Sequence, residues 1–227
     1  MCLILLAWRA HARHPLVVAA NRDEFHARSA DRAGFWRDSP DILAGRDLEA
    51  GGTWMGVSRN GRFAAVTNYR GGRDANALES RGALVTRFLA GAASPADYVA
   101  GLSGRLASYS GFNLLACDGR ELWWLSNRDG GSRRLEPGIY GLGNFLLDTP
   151  EVDEPKARFS RTLETAAAIE PLFSVLAGSH IVAPQYGTRC STILIAGEDG
   201  ATIYAERAFD AAGAPGETVR YEFRPRA

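Results

Sequence analysis

Apolar residues fill the stretch Cys2–Trp8 (CLILLAW) at odd and even positions alike. A strand with that pattern has both faces covered, whereas strict alternation would leave one face in water. HARHP then turns the chain, and LVVAANRDEF reads as a second strand of small and β-branched residues that becomes polar at its far end. With the turn placed over Ala10–His14, antiparallel pairing makes paired residue numbers sum to about twenty-four, which sets Cys2 opposite Arg22.

Residues 26–52 are polar, carry Pro40 and Gly51-Gly52, and read as a long excursion over the surface. Three hairpins follow from Asn-Gly and Asp-Gly pairs set between apolar runs: TWMGVS/RFAAVTNYR at Asn60-Gly61, GFNLLAC/ELWWLS at Asp118-Gly119, and CSTILIAG/ATIYAER at Asp199-Gly200. Helical spacing marks ESRGALVTRFLAG, then SPADYVAGLSGRLA with Ser94 as cap and Pro95 in the first turn, and DEPKARFSRTLETAAAI starting near Pro155. Strands at both ends with helices between them predict an α+β fold, a four-layer α/β/β/α sandwich of two antiparallel sheets in a single domain spanning 1–227. No internal repeat interrupts it.

Composition narrows the partners. Hydrophobic residues make up 46% and charged residues 23%, and the 26 basic and 26 acidic side chains cancel, so nothing draws the chain to nucleic acid or an anionic membrane. The opening apolar run lacks a basic leader and meets Arg9 at once, which excludes both a signal peptide and an integral membrane segment. Cys2, Cys117 and Cys190 form no CxxC pair and no disulfide framework, which points to a cytoplasmic protein without a structural metal.

Cys2 carries the candidate chemistry. Removal of Met1 leaves a thiol and an α-amine on one residue, and an amine titrating at about 7.7–8.0 is poised to take a proton from that thiol. Arg22 opposite favours the thiolate, and Asp23 or Glu24 can hold the ammonium or orient Arg22. Asn68 and Asn144, both at strand ends, are amide donors of the type that stabilises an oxyanion. Singly, each has a plainer reading: a core thiol, a solvated charged strand end, two turn-forming asparagines. Their co-occurrence gives the chemical reading its weight.

Met1-Cys2 followed by AANRDEF resembles the NRDE, or transport-and-Golgi-organisation, family, and GGTWMGVSRNGRFAAVTNYR, GLGNFLLDTPEVDEPKARF and YGTRCSTILI resemble further family blocks in order. The resemblance implies a fold of the N-terminal-nucleophile hydrolase type. More distantly, the layout is similar to the cysteine amidases that include penicillin V acylase and bile salt hydrolase. That likeness implies catalytic roles for Cys2, Arg22, Asp23, Asn68 and Asn144, with Asn21, Glu24 and Arg189 as substrate contacts. It departs from them at Arg22-Asp23, which are adjacent here and three apart there, so a bulge must re-aim one of them, or Glu24 takes the acidic role, or the amidase chemistry is absent. The enzyme so implied attacks a non-peptide amide or related acyl bond of a small-molecule substrate and needs no cofactor. The alternative implied by the family is a carrier that holds haem or an acyl ligand in the same pocket, with His11, His14, His26 and His180 as axial candidates.

Overall fold

The covered faces expected of the opening run set the organisation of the whole chain. The computed structural model describes residues 2–71, 74, 77–129, 131–165 and 167–226. Thirteen strands among them form two antiparallel sheets, and the chain divides into two units, residues 1–28 with 137–143 and 147–224, and residues 29–136 with 144–146 and 225–227.

In the first unit β1 (Leu3–Trp8) and β2 (Leu16–Phe25) pair with Leu3 opposite Asn21 and Trp8 opposite Leu16, the register expected from the turn. They sit between β10 (Gly138–Leu142) and β11 (Tyr186–Ala196), and β12 (Thr202–Phe209) and β13 (Pro215–Phe223) complete the order β10-β1-β2-β11-β12-β13. Odd residues Leu3, Leu5, Val17, Ala19 and Ile193 pack against Phe159 and Leu163 of α3 (Asp153–Thr165) and Leu172 and Leu176 of α4 (Ile169–Ala177). Even residues Ile4, Leu6, Val18, Ala20 and Leu194 are also buried, as an unbroken apolar strand requires.

In the second unit the sheet order is β3 (Ala30–Phe35), β4 (Ile42–Asp47), β5 (Met55–Ser58), β6 (Phe63–Asn68), β7 (Phe112–Cys117), β8 (Leu122–Ser126) and β9 (Gly131–Arg134). Ile42, Ala44, Ala64, Val66, Leu114 and Ala116 pack against Leu84, Val85 and Phe88 of α1 (Gly82–Ala90) and Val99 of α2 (Pro95–Gly101). Close approach fixes glycine where α1 begins, because a Cβ on Gly52 would lie 2.7 Å from the Gly82 carbonyl carbon.

All three hairpin turns stand where the sequence predicts, with Gly61, Gly119 and Gly200 at φ between 76° and 84°. The Ser94 side chain accepts from the Asp97 N–H at 3.1 Å, with Pro95 in the first turn, as expected of a cap.

Three expectations need correction. Residues 26–52 are not a surface excursion: β3 and β4 pair there, with an irregularity between Asp31 and Gly34 that shifts the phase of an exposed edge strand and erases its alternation. The second helix ends at Gly101 and gives way to a 3-10 segment over Ser103–Ser108, because Gly101 and Gly104 each cost about 1 kcal/mol in a helix. The third helix ends at Thr165, short of the expected Ile169, and a further helix, α4, follows over Ile169–Ala177; Pro171 in its first turn lacks an N–H and its ring excludes a helical carbonyl four residues earlier, which keeps the two apart. Among the described residues no helix is long and apolar enough to cross a membrane.

Candidate functional site

Cys2 stands one residue ahead of β1, in line with the register that faces it to Arg22. Its Sγ donates to the Asp23 carbonyl oxygen at 3.4 Å, and the Tyr186 hydroxyl donates to the same oxygen at 3.1 Å. The residue is half-buried, and burial, followed by the negative charge of Asp23, pushes its thiol up to about 11. Arg22 pulls the other way more weakly. At neutral pH the thiolate is then on the order of one part in 10⁴, so the sulfur needs a base rather than a neighbouring cation alone. Met1, whose removal would free the Cys2 amine, lies outside the described residues.

Arg22 and Asp23 lie on alternate faces of β2, and the bulge falls on the opposing strand. Thr188 pairs with Asp23 while Cys190 pairs with Arg22, leaving Arg189 as the extra residue. Arg22 therefore shares a row with Cys2 and Cys190. Asp23 is buried and accepts at Oδ1 from the Thr188 hydroxyl at 2.7 Å, and that hydroxyl in turn accepts from the Ile181 N–H at 2.9 Å. Glu24 turns to its surroundings instead: Oε1 accepts from the Phe25 N–H at 2.9 Å and Oε2 lies 3.9 Å from Arg28 Nε.

Two expected substrate contacts are committed to the fold. Asn21 is fully buried, accepts from the Ser191 hydroxyl at 2.6 Å and donates to the Leu176 carbonyl at 3.1 Å, fastening β2 to β11 and α4. Arg189 Nη1 donates to the carbonyls of Phe25 at 3.0 Å, His26 at 3.1 Å and Arg28 at 3.3 Å, which closes the exit of β2.

Asn68 and Asn144 belong to the second unit, which brings them together. Asn144 Nδ2 donates to the Asn68 carbonyl at 2.7 Å, and the Arg70 N–H donates back to the Asn144 carbonyl at 2.7 Å. Asn113, fully buried on β7, holds this segment by donating to the Phe145 carbonyl at 2.6 Å and the Thr67 hydroxyl at 3.2 Å.

The four histidines are dispersed over the first unit. His11 and His14 stack at 4.8 Å beside the first turn, and burial followed by the proximity of His11 lowers His14. His26 Nε2 meets the Ala183 carbonyl at 3.0 Å, and His180 packs edge-on against Phe209 at 4.3 Å. Among the described residues no three His, Cys, Asp or Glu side chains converge as metal ligands.

Sequence reasoning passed over Tyr186, Thr188 and Asn113. Tyr186 is raised far above an ordinary phenol by burial, then by the charges of Cys2 and Asp23. The signal for it was the polar start of YGTRCSTILI, and for Asn113 a lone amide inside the apolar GFNLLAC.

The family model "Transport and Golgi organisation 2" matches residues 1–185. The bovine Transport and Golgi organization protein 2 homolog is 34% identical, with 92% of each chain covered, and the human homolog is 33% identical over the same shares. Among solved structures, the chain is similar to a Caenorhabditis elegans N-acylethanolamine-hydrolyzing acid amidase ortholog, with TM-score 0.58, 12% identity, and 86% of this chain and 92% of that one covered. A mutant conjugated bile acid hydrolase from Clostridium perfringens gives TM-score 0.54 and 10% identity over 99% and 98% of the two chains. At these identities the likeness is one of fold, an α+β arrangement of antiparallel sheets of the N-terminal-nucleophile hydrolase type.

Proposed function

The chain belongs to the Transport and Golgi organisation 2 family, and from that premise we propose that it is a cysteine hydrolase acting on an amide or related acyl bond of a small molecule. The observation that carries this reading is the placement of the Cys2 thiol, half-buried at the start of β1 beside Arg22, Asp23 and Tyr186 in a hydrolase-type fold. The names of the two structural neighbours, an acid amidase and a conjugated bile acid hydrolase, support the bond class.

In this mechanism the free amine of a trimmed Cys2 takes the thiol proton, the sulfur bonds to the acyl carbon, and the carbonyl oxygen becomes an oxyanion. Hydrogen-bond donors aimed at that oxygen would stabilise it. The C–N bond breaks as the ammonium returns its proton to the leaving amine. Water then attacks the thioester, releasing the acid and restoring the thiol. Burial raises the thiol, and the built-in base offsets this by drawing off its proton. Cys2, Cys117 and Cys190 are all free, which suits a reducing, cytosolic location.

The test is intact mass followed by assay. Trimmed wild type should release acid from a panel of N-acyl amino acids and N-acylethanolamines, and Cys2→Ser should not. A chain that keeps Met1, or equal turnover in both proteins, would overturn the mechanism.

A second reading, a carrier of haem or an acyl lipid, is supported by exposed apolar surface. Phe25 and Val182, 56% and 59% exposed, offer apolar surface beside Tyr186 and Gly187. A saturable haem or fatty-acid titration at unit stoichiometry, with every amide left intact, would select the carrier.

A further inference from the structure

The face of the first sheet turned away from α3 and α4 is apolar along most of its length, through Ile4, Leu6, Val18, Ala20 and Leu194. Toward one end it carries instead a polar band across four strands. Cys2, one pair beyond Leu3 and Asn21, faces Arg22 on β2, and Arg22 pairs with Cys190 on β11. Two residues further along β11, Thr192 pairs with Glu206 on β12. Glu206 is 4% exposed, and its Oε2 accepts from the Thr192 hydroxyl at 3.3 Å. The Cys190 thiol donates to the same carboxylate. Tyr204 lies beside it on β12, hydrogen-bonded to Thr192, and β13 presents Val219 opposite Glu206 and Tyr221 opposite Tyr204. Glu24, the next residue on this side of β2, is occupied by the Phe25 N–H and Arg28. A carboxylate is rarely buried without a compensating charge, and the cation that shares this face is Arg22.

We infer that Glu206 is a positioning residue for the reactive centre: it holds the Arg22 guanidinium toward β11 and β12 and so limits the pull of that charge on the Cys2 sulfur. Strand spacing and rise put the Cα atoms of Arg22 and Glu206 about 12 Å apart, a span that the two side chains bridge when extended toward each other. Cys2 and Glu206 are about 16 Å apart on the same scale, so the carboxylate acts on the sulfur by way of Arg22.

The two thiols that flank Arg22 feel it unequally. At Cys190 its charge comes directly after burial and Glu206 in strength, whereas at Cys2 it is the weakest of the influences. A guanidinium drawn toward Glu206 accounts for that order. Released from Glu206, the same cation is free to approach Cys2 and to favour its thiolate.

The inference rests on the reading of Cys2 as the reactive group, and its test needs no turnover. The full-length protein is labelled with iodoacetamide over a range of pH, and the rate at each cysteine is read by peptide mass. Glu206→Gln, which keeps the shape and removes the charge, should label Cys2 at least about threefold faster than wild type at pH 7 and shift its pH profile downward. Glu206→Asp, with the charge on a shorter stem, should fall between the two. Arg22→Gln should slow Cys2 only slightly, and adding Glu206→Gln to it should leave the Cys2 rate where it was, since the cation that carries the effect is gone. Cys190, which bonds Glu206 itself, should quicken with Glu206→Gln in either background.

Circular dichroism and melting check the fold of each variant, and if Glu206→Gln does not fold, Glu206→Asp against wild type decides in its place. Equal Cys2 rates in that comparison, or an acceleration that persists in the Arg22→Gln background, overturn the positioning role. The expected Cys2 rates in a protein that hydrolyses no amide would leave the role standing and sink only the hydrolase.

Discussion

The Cys2 end of the first unit and the asparagine pair of the second differ in how much chain is needed to build them. One short connection between β1 and β2 sets the register that, extended by one pair, puts Cys2 opposite Arg22, and both strands are fixed by burial on two faces. Asn144 reaches Asn68 across 76 residues, and the segment around it is held by Asn113 from a third strand. The first arrangement is set by local register and the second by the folding of a whole unit. Substitutions in the core should therefore loosen the amide pair before they displace the thiol.

The largest effect should come from the thiol itself. Cys2→Ser is expected to cut acyl hydrolysis by about 10³-fold or more while leaving the melting temperature nearly unchanged, because the side chain reacts and does not brace the fold. Loss of activity together with unfolding would mean that the thiol is structural.

Next come the two buried asparagines that brace the two regions. Asn21→Ala strands the Ser191 hydroxyl and the Leu176 carbonyl, and Asn113→Ala strands the Phe145 carbonyl and the Thr67 hydroxyl, each costing about 2–4 kcal/mol. The comparison predicts that Asn113→Ala raises amide exchange around residues 144–146 and leaves β1 and β2 protected. Asn21→Ala should do the reverse. Uniform loss of protection in both variants would show that the distinction between the units has no energetic meaning.

The pH dependence should also separate them, at opposite ends of the scale. Cys2 titrates near 9.0 when unfolded and about 11 when folded, so its contribution is complete below pH 9 and is lost as pH rises through 11. Glu79 in the second unit is held at about 2 by hydrogen bonds from Arg105 and then Arg87, against an ordinary 4.5. Its contribution is complete above pH 4.5 and is lost as pH falls through 2. Hydrogen exchange resolved by residue should show the second unit opening first in acid and the first unit opening first in alkali.

The smallest effect concerns Arg189. Removing its hydrogen bonds to the carbonyls of Phe25, His26 and Arg28 in Arg189→Ala should cost about 1–2 kcal/mol and increase exchange at the end of β2. A change in ligand affinity with no change in exchange there would assign Arg189 to the ligand instead.

Much of this was legible from residues alone. The β1–β2 register, the three Gly turns and the Ser94 cap each depend on a few neighbouring residues whose steric or hydrogen-bonding demands have one common solution. The strands β3 and β4 were not legible, because β3 is an exposed edge and the irregularity in its pairing with β4 leaves no alternation to read. Tyr186 was missed for a related reason. Its role comes from meeting the Asp23 carbonyl, an atom every residue possesses and no sequence marks.

By itself the sequence determined that a thiol at position two would face an arginine, since hairpin register is arithmetic once the turn is placed. Only the tertiary structure decided what each polar group does there. Asn21 and Arg189 became braces, and Glu24 turned to Arg28. The physical reason is that hydrogen-bond partners are allotted by distance in space, and the bulge at Arg189 and the packing of α4 on β2 are set by contacts more than a hundred residues away in the chain.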